Sequence, residues 1–194
     1  MKNVKIRFRF VFVLCLVVVG LCGSFASAQT TLDASAGVFD KKATYRLAEL
    51  SQSWGRWTLL DVGYLDFGEP KGYREWFAGI GYKIFSSPKF ELEERVFFVQ
   101  SEGQEADHAR FVQPWMGLTY TPHRRINFEI AGLVYVPLKK DKKVTWLLED
   151  AKVELKLSVF ALGVGYGANP EGNGEWRNKP FVTATISPAS GKFG

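Results

Sequence analysis

The sequence predicts an all-β protein, a closed antiparallel up-and-down β-barrel of about eight strands. Three observations lead there. Apolar and polar residues alternate with a period of two over long runs. Gly, Pro, Asn or charged clusters end those runs at regular intervals. Each run spans about ten to fourteen residues, whereas an ordinary strand averages about five or six.

The first element is a leader. Of the 194 residues, the first 28 hold Lys2, Lys5, Arg7 and Arg9 and no acid. An apolar run, Phe10 to Leu21, follows, and small residues end in Ala26-Ser27-Ala28. That order of basic, apolar and A-x-A segments predicts a secretory signal over residues 1–28, cleaved before Gln29, with residues 29–194 as a single domain. The apolar core is shorter than the roughly 20 residues a spanning helix needs. Both cysteines, Cys15 and Cys22, lie in this leader, so disulfides and thiolate chemistry are not expected of the mature chain. The formal charge of +5 comes largely from the same segment, since 25 basic and 20 acidic residues become 21 and 20 without it. The composition therefore argues against a nucleic-acid partner.

Strands are expected near 43–52, 57–67, 73–86, 89–101, 109–121, 125–138, 150–167 and 176–187. In 126–136 one face carries Ile126, Phe128, Ile130, Gly132, Val134 and Val136, opposite Asn127, Glu129, Ala131, Leu133 and Tyr135. In 152–161 Val153, Leu155, Leu157, Val159 and Ala161 oppose Lys152, Glu154, Lys156 and Ser158. In 73–85 Trp76, Ala78, Ile80, Tyr82 and Ile84 oppose Glu75, Phe77, Gly79, Gly81 and Lys83. A helix would smear both kinds of residue around its surface.

The same string suits two solvents. A membrane barrel turns its apolar face outward to lipid, and a soluble barrel of the lipocalin kind turns it inward around a ligand. Strand length and the many aromatic residues near strand ends favour lipid. On that reading Ile126, Phe128, Ile130, Val134, Val153, Leu155, Leu157 and Val159 face lipid. Glu91, Glu93, Arg95, Glu129, Lys152, Glu154 and Lys156 form ion pairs in the lumen. Glu94 is the discordant residue, because it falls on the apolar face.

Tyr64-Leu65-Asp66-Phe67-Gly68, preceded by Val62-Gly63, resembles the G-Y-x-D-F-G strand ending of small outer-membrane barrels of the OmpA/OmpX-like superfamily. Gly79-Ile80-Gly81-Tyr82-Lys83 and Gly163-Val164-Gly165-Tyr166 are similar to that superfamily's G-x-G-Y segments. The resemblance covers roughly residues 57–187 and implies a barrel of about eight strands in the outer membrane of a Gram-negative cell, with no particular activity attached. The chain departs from the pattern at its end, Gly191-Lys192-Phe193-Gly194, where such barrels commonly finish on an aromatic residue. Loop lengths depart too. Eight strands starting at residue 43 put the short connections on the wrong side, so either residues 31–39 form an additional strand or one of the eight is wrongly drawn.

Sites for chemistry are sparse. His108 and His123 sit in separate loops without a second ligand at metal spacing, so neither a metal nor a cofactor is expected. Ser101, Asp107 and His108 supply residue types for a nucleophile, an acid and a base, with nothing to fix their geometry. Lys139, Lys140, Lys142 and Lys143 could touch lipopolysaccharide headgroups, or form a solvated loop tip. The expectation is a non-catalytic outer-membrane barrel with a structural, surface-contact or narrow-pore role. A soluble ligand-binding barrel and a lipid-modifying enzyme remain as alternatives, and the oligomeric state is open.

Overall fold

The computed structural model describes residues 28–38, 44–67, 73–103, 110–139, 142–168 and 179–186. They form ten strands: β1 (Ala28–Val38), β2 (Thr44–Trp54), β3 (Trp57–Phe67), β4 (Arg74–Ser86), β5 (Phe90–Glu102), β6 (Arg110–His123), β7 (Ile126–Pro137), β8 (Thr145–Leu157), β9 (Phe160–Ala168) and β10 (Lys179–Ile186). Each strand pairs antiparallel with its sequence neighbours, and β10 pairs with β1 to close the barrel.

The count of about eight is thus corrected to ten, for two physical reasons. β1 holds mostly small and polar residues, with no aromatic and only Thr30, Thr31 and Val38 β-branched, so its strand signature is weak, although the loop lengths called for a strand over 31–39 or a redrawn one. It begins at Ala28, the last residue of the expected leader, and residues 1–27 lie outside the described residues. The run read as one strand over 150–167 is a hairpin, β8 and β9, turning at Ser158 and Val159. Such two-residue turns favour positive φ and hence Gly or Asn. Gly55 meets that demand in the β2–β3 turn at φ 59°, whereas Ser158 adopts φ 62° with a side chain attached. The turn carried no punctuation to read.

Ten strands also repair the loop lengths. Short turns at 55–56, 87–89, 124–125 and 158–159 share one end with the start of β1 and the end of β10. Every longer connection lies at the other end. Backbone bonds tie the short turns to the next hairpin, from Lys83 N to Arg56 O, Thr121 N to Lys89 O and Lys156 N to Arg125 O, at 2.7–2.8 Å.

Two bulges set which side chains enter the lumen, and a third irregularity interrupts the pairing without altering that choice. A bulge in β3 between Thr58 and Asp61 turns both inward while Leu59 and Leu60 stay out. A second, between Ala131 and Gly132, shifts parity along β8 so that Glu149 and Lys152 both face in. Pairing of β6 with β7 lapses at Gln113 and Pro114 and resumes in the same register at Trp115, as a proline without an N–H dictates.

Candidate functional site

The wall sorts its side chains as the alternation requires. Phe128, Ile130, Val153, Leu155 and Leu157 point outward, each between 39% and 54% exposed. Their strand neighbours Asn127, Ala131, Leu133 and Glu154 are buried inside. Ile126 and Val134 share the outward parity and are half-buried. Val159 is exposed but belongs to the β8–β9 turn, and Ala161, paired with Lys156, faces the lumen. Those two positions are corrections, because the hairpin resets the alternation.

The lumen is divided along its axis. Towards the long loops it is packed with Phe97, Val99 and Phe111, against which Phe77, Trp115 and Tyr135 lie. A second cluster joins Phe181 to Tyr45, Leu65 and Tyr73. Edge-to-face contacts, Phe77 with Phe97 at 5.3 Å and Phe111 with Tyr135 at 4.9 Å, knit the first cluster. The polar groups in this half are held by aromatic partners. Tyr73 donates its hydroxyl to the buried Glu75, and Trp115 Nε1 donates to Glu149 Oε2 at 2.7 Å. Ser101 also lies here, 1% exposed.

Towards the short turns the lumen is ionic. Arg95 Nη1 reaches Glu49 Oε1 at 2.9 Å and Asp61 Oδ2 at 2.5 Å, and Nη2 reaches Glu93 Oε2 at 2.8 Å. Thr58 donates to Glu93 Oε1 at 2.7 Å, and Lys83 Nζ pairs with Glu91 at 2.9 Å. Across the barrel Lys152 pairs with Glu129 at 3.3 Å and Glu154 at 3.7 Å. Six of the seven residues expected to pair in the lumen are therefore paired there. Lys156 faces inward at the exposed end of β8.

Glycines make the Arg95 cluster possible. A Cβ on Gly81 would sit 2.7 Å from Arg95 Cγ, and one on Gly79 would sit 2.5 Å from Phe97 Cδ1. With both missing, β5 side chains lie flat over β4 and the guanidinium reaches β2 and β3. Sequence reasoning missed Glu49 and Asp61 as its partners. Asp61 is invisible to simple alternation because the bulge flips its parity, although it is a lone acid within the apolar stretch Leu59–Val62.

Catalytic candidates do not assemble among the described residues. Asp107 and His108 lie outside them, as does Lys140. His123 is exposed, and its Nδ1 accepts the Arg125 N–H at 3.3 Å. No group of three or more His, Cys, Asp or Glu is placed to hold a metal ion among the described residues. Lys139, Lys142 and Lys143 are exposed at the long-loop end.

No family model matches the chain, and no curated protein matches it. Solved structures give loose overlaps. The de novo designed barrel TMB2.3, in solution, covers 82% of this chain and 92% of its own at 12% identity and TM-score 0.40. A second chain, from the de novo design of transmembrane β-barrels, covers 82% and 91% at 15% identity and TM-score 0.35. OccK11 (OpdR) of Pseudomonas aeruginosa covers 85% and 67% at 12% identity and TM-score 0.32. Overlaps this loose define no family for the chain.

Proposed function

We propose that the chain is an outer-membrane β-barrel whose lumen is plugged by its own side chains, acting through its wall and loops rather than as an open pore or an enzyme. The observation that carries this reading is the outward direction of the apolar face. Leu32, Ile80, Val96, Phe98, Met116 and Val164, from five different strands, are each 48–61% exposed. A water-soluble protein rarely leaves such a continuous apolar surface uncovered.

Dimensions agree. On β5 the outer face runs from Phe90 to Gln100, ten residue steps, with only Glu94 polar in between. At a rise of about 3.3 Å and a tilt of about 45° that is about 23 Å of height, close to the roughly 25 Å apolar band of membrane barrels. Outward charges Arg46, Asp66, Arg74 and Glu102 follow one another in register across β2–β5 and bound the belt at the long-loop end. A soluble barrel with an apolar cavity is disfavoured because the opposite, mixed face points inward.

At the long-loop end, Lys139, Lys142 and Lys143 would meet lipopolysaccharide headgroups. The experiment is fractionation of cells expressing the full chain, with gel mobility before and after boiling. Recovery in the outer membrane with heat-modifiable mobility is expected. A monodisperse, detergent-free aqueous protein refutes the reading. Large, stable conductance in a planar bilayer refutes the plugged lumen alone.

A further inference from the structure

The short-turn end of the barrel sorts its charges by sign. Three of its four turns carry Arg56, Lys89, Arg124 and Arg125, all exposed, and none of the four turns holds an acid. The acids of the adjoining strand ends turn away from them. Glu91 faces the lumen on Lys83, and Glu154 is buried inside near Lys152. The long-loop rim mixes its signs: it holds the exposed Lys139, Lys142 and Lys143, but Arg46, Asp66, Arg74 and Glu102 alternate across β2–β5 and Arg74 Nε meets Asp66 Oδ1 at 3.5 Å.

Directly inside the basic turns, the outer wall carries a band of aromatic rings. Phe90 stacks on Tyr120 at 4.4 Å, Tyr120 on Phe128 at 6.0 Å, and Trp57 contacts Tyr82 at 4.7 Å. Trp54, Trp57 and Phe160, beside the turns, are each 52% exposed. Amphipathic rings settle at the headgroup level of a bilayer. Side chains one or two residues beyond them, on the turns, then stand at the level of the lipid phosphates. Cations gathered there without acids repel one another, and anionic headgroups relieve that repulsion.

We propose that the short-turn rim is a binding surface for anionic phospholipid headgroups, with Arg56, Lys89, Arg124 and Arg125 as its phosphate-contacting side chains. The inference rests on the outer-membrane reading of the wall. Each basic residue near an anionic surface strengthens association by roughly fivefold at moderate salt. The effect fades at high salt because charges at this rim are open to screening.

The test uses the full chain folded into phosphatidylcholine vesicles and into vesicles with about a third phosphatidylglycerol. The urea midpoint is read in each. Wild type is expected to unfold later in the anionic vesicles, with the gain shrinking at about 0.5 M salt. The variant R56Q/K89Q/R124Q/R125Q is expected to lose most of that gain, Lys139, Lys142 and Lys143 at the other rim supplying the remainder, and R124Q/R125Q, confined to one turn, about half as much. R46Q/R74Q at the opposite rim keeps it. Equal midpoints in the two vesicles, or a gain undiminished by the fourfold change, overturn the proposal. Failure of wild type to enter either vesicle overturns the membrane reading and this inference with it, whereas entry without a headgroup effect overturns this inference alone.

Discussion

Replacing Arg95 by Met tests the ionic half of the lumen. The substitution removes the guanidinium while keeping a long, flexible side chain in the space over Gly81. Three carboxylates then lose their shared partner. Glu93 keeps the Thr58 hydroxyl, and Glu49, 22% exposed, keeps some solvent. Asp61 is the decisive one: its side chain is 0% exposed, its Oδ2 is held by Arg95, and its Oδ1 has no hydrogen-bond partner. Removing one member of a buried ion pair costs about 3–5 kcal/mol, because the other charge is left uncompensated. Arg95 itself is 20% exposed, which places the expected loss near the low end, about 3 kcal/mol. With a urea slope of about 2 kcal/mol/M, the midpoint falls by about 1.5 M. The assay is urea unfolding in detergent micelles, followed by Trp fluorescence. The double variant R95M/D61N removes the stranded charge as well and is expected to recover part of the loss. An R95M midpoint within about 0.25 M of wild type, or a double variant that loses the sum of both single losses, refutes the reasoning.

Three further outcomes concern the same wall. Replacing Phe97 and Phe111 together by Ala empties the centre of the aromatic plug; single-channel conductance should appear where wild type has none, at a stability cost of several kcal/mol. Continued silence of a folded double variant in planar bilayers argues that the plug lies elsewhere. Ser158→Asn relieves a side chain held at positive φ and should raise the urea midpoint by an amount equivalent to about 0.5–1 kcal/mol, with an unchanged or lowered midpoint counting against the turn. Glu94 faces outward, exposed, between Tyr82 and Met116; the nearby register shift places its extra residue on β4, between Lys83 and Phe85, so β5 keeps its alternation and Glu94 stays towards lipid. Glu94→Leu should therefore stabilise the protein in bilayers by up to about 1 kcal/mol, and destabilisation there would mean that the carboxylate has a partner.

The sequence by itself determined the all-β class, the antiparallel order and which face of most strands is apolar. Those follow from side chains leaving a strand on alternate sides, a rule that needs no tertiary information. The lumen pairs Arg95–Glu93, Lys152–Glu129 and Lys152–Glu154 were legible for that reason, since all their members lie on the polar parity of adjoining or identical strands. The strand count was not legible. β1 has a weak strand composition and was signalled only indirectly, by loop lengths that called for an additional strand over 31–39 or a redrawn one, while Ser158-Val159 turns without Gly, Pro or Asn, so only the pairing of β8 with β9 reveals that hairpin. Nor could the string place Asp61 and Glu49 around Arg95, because a bulge swaps parity within β3 and the contact spans three strands over a pair of glycines. The axial division of the lumen, aromatic towards the loops and ionic towards the turns, belongs to the closed barrel. Its order is written on β5 alone, whose inward face runs Glu91, Glu93, Arg95, Phe97, Val99, but the partners that complete each half come from other strands and meet only when the sheet closes.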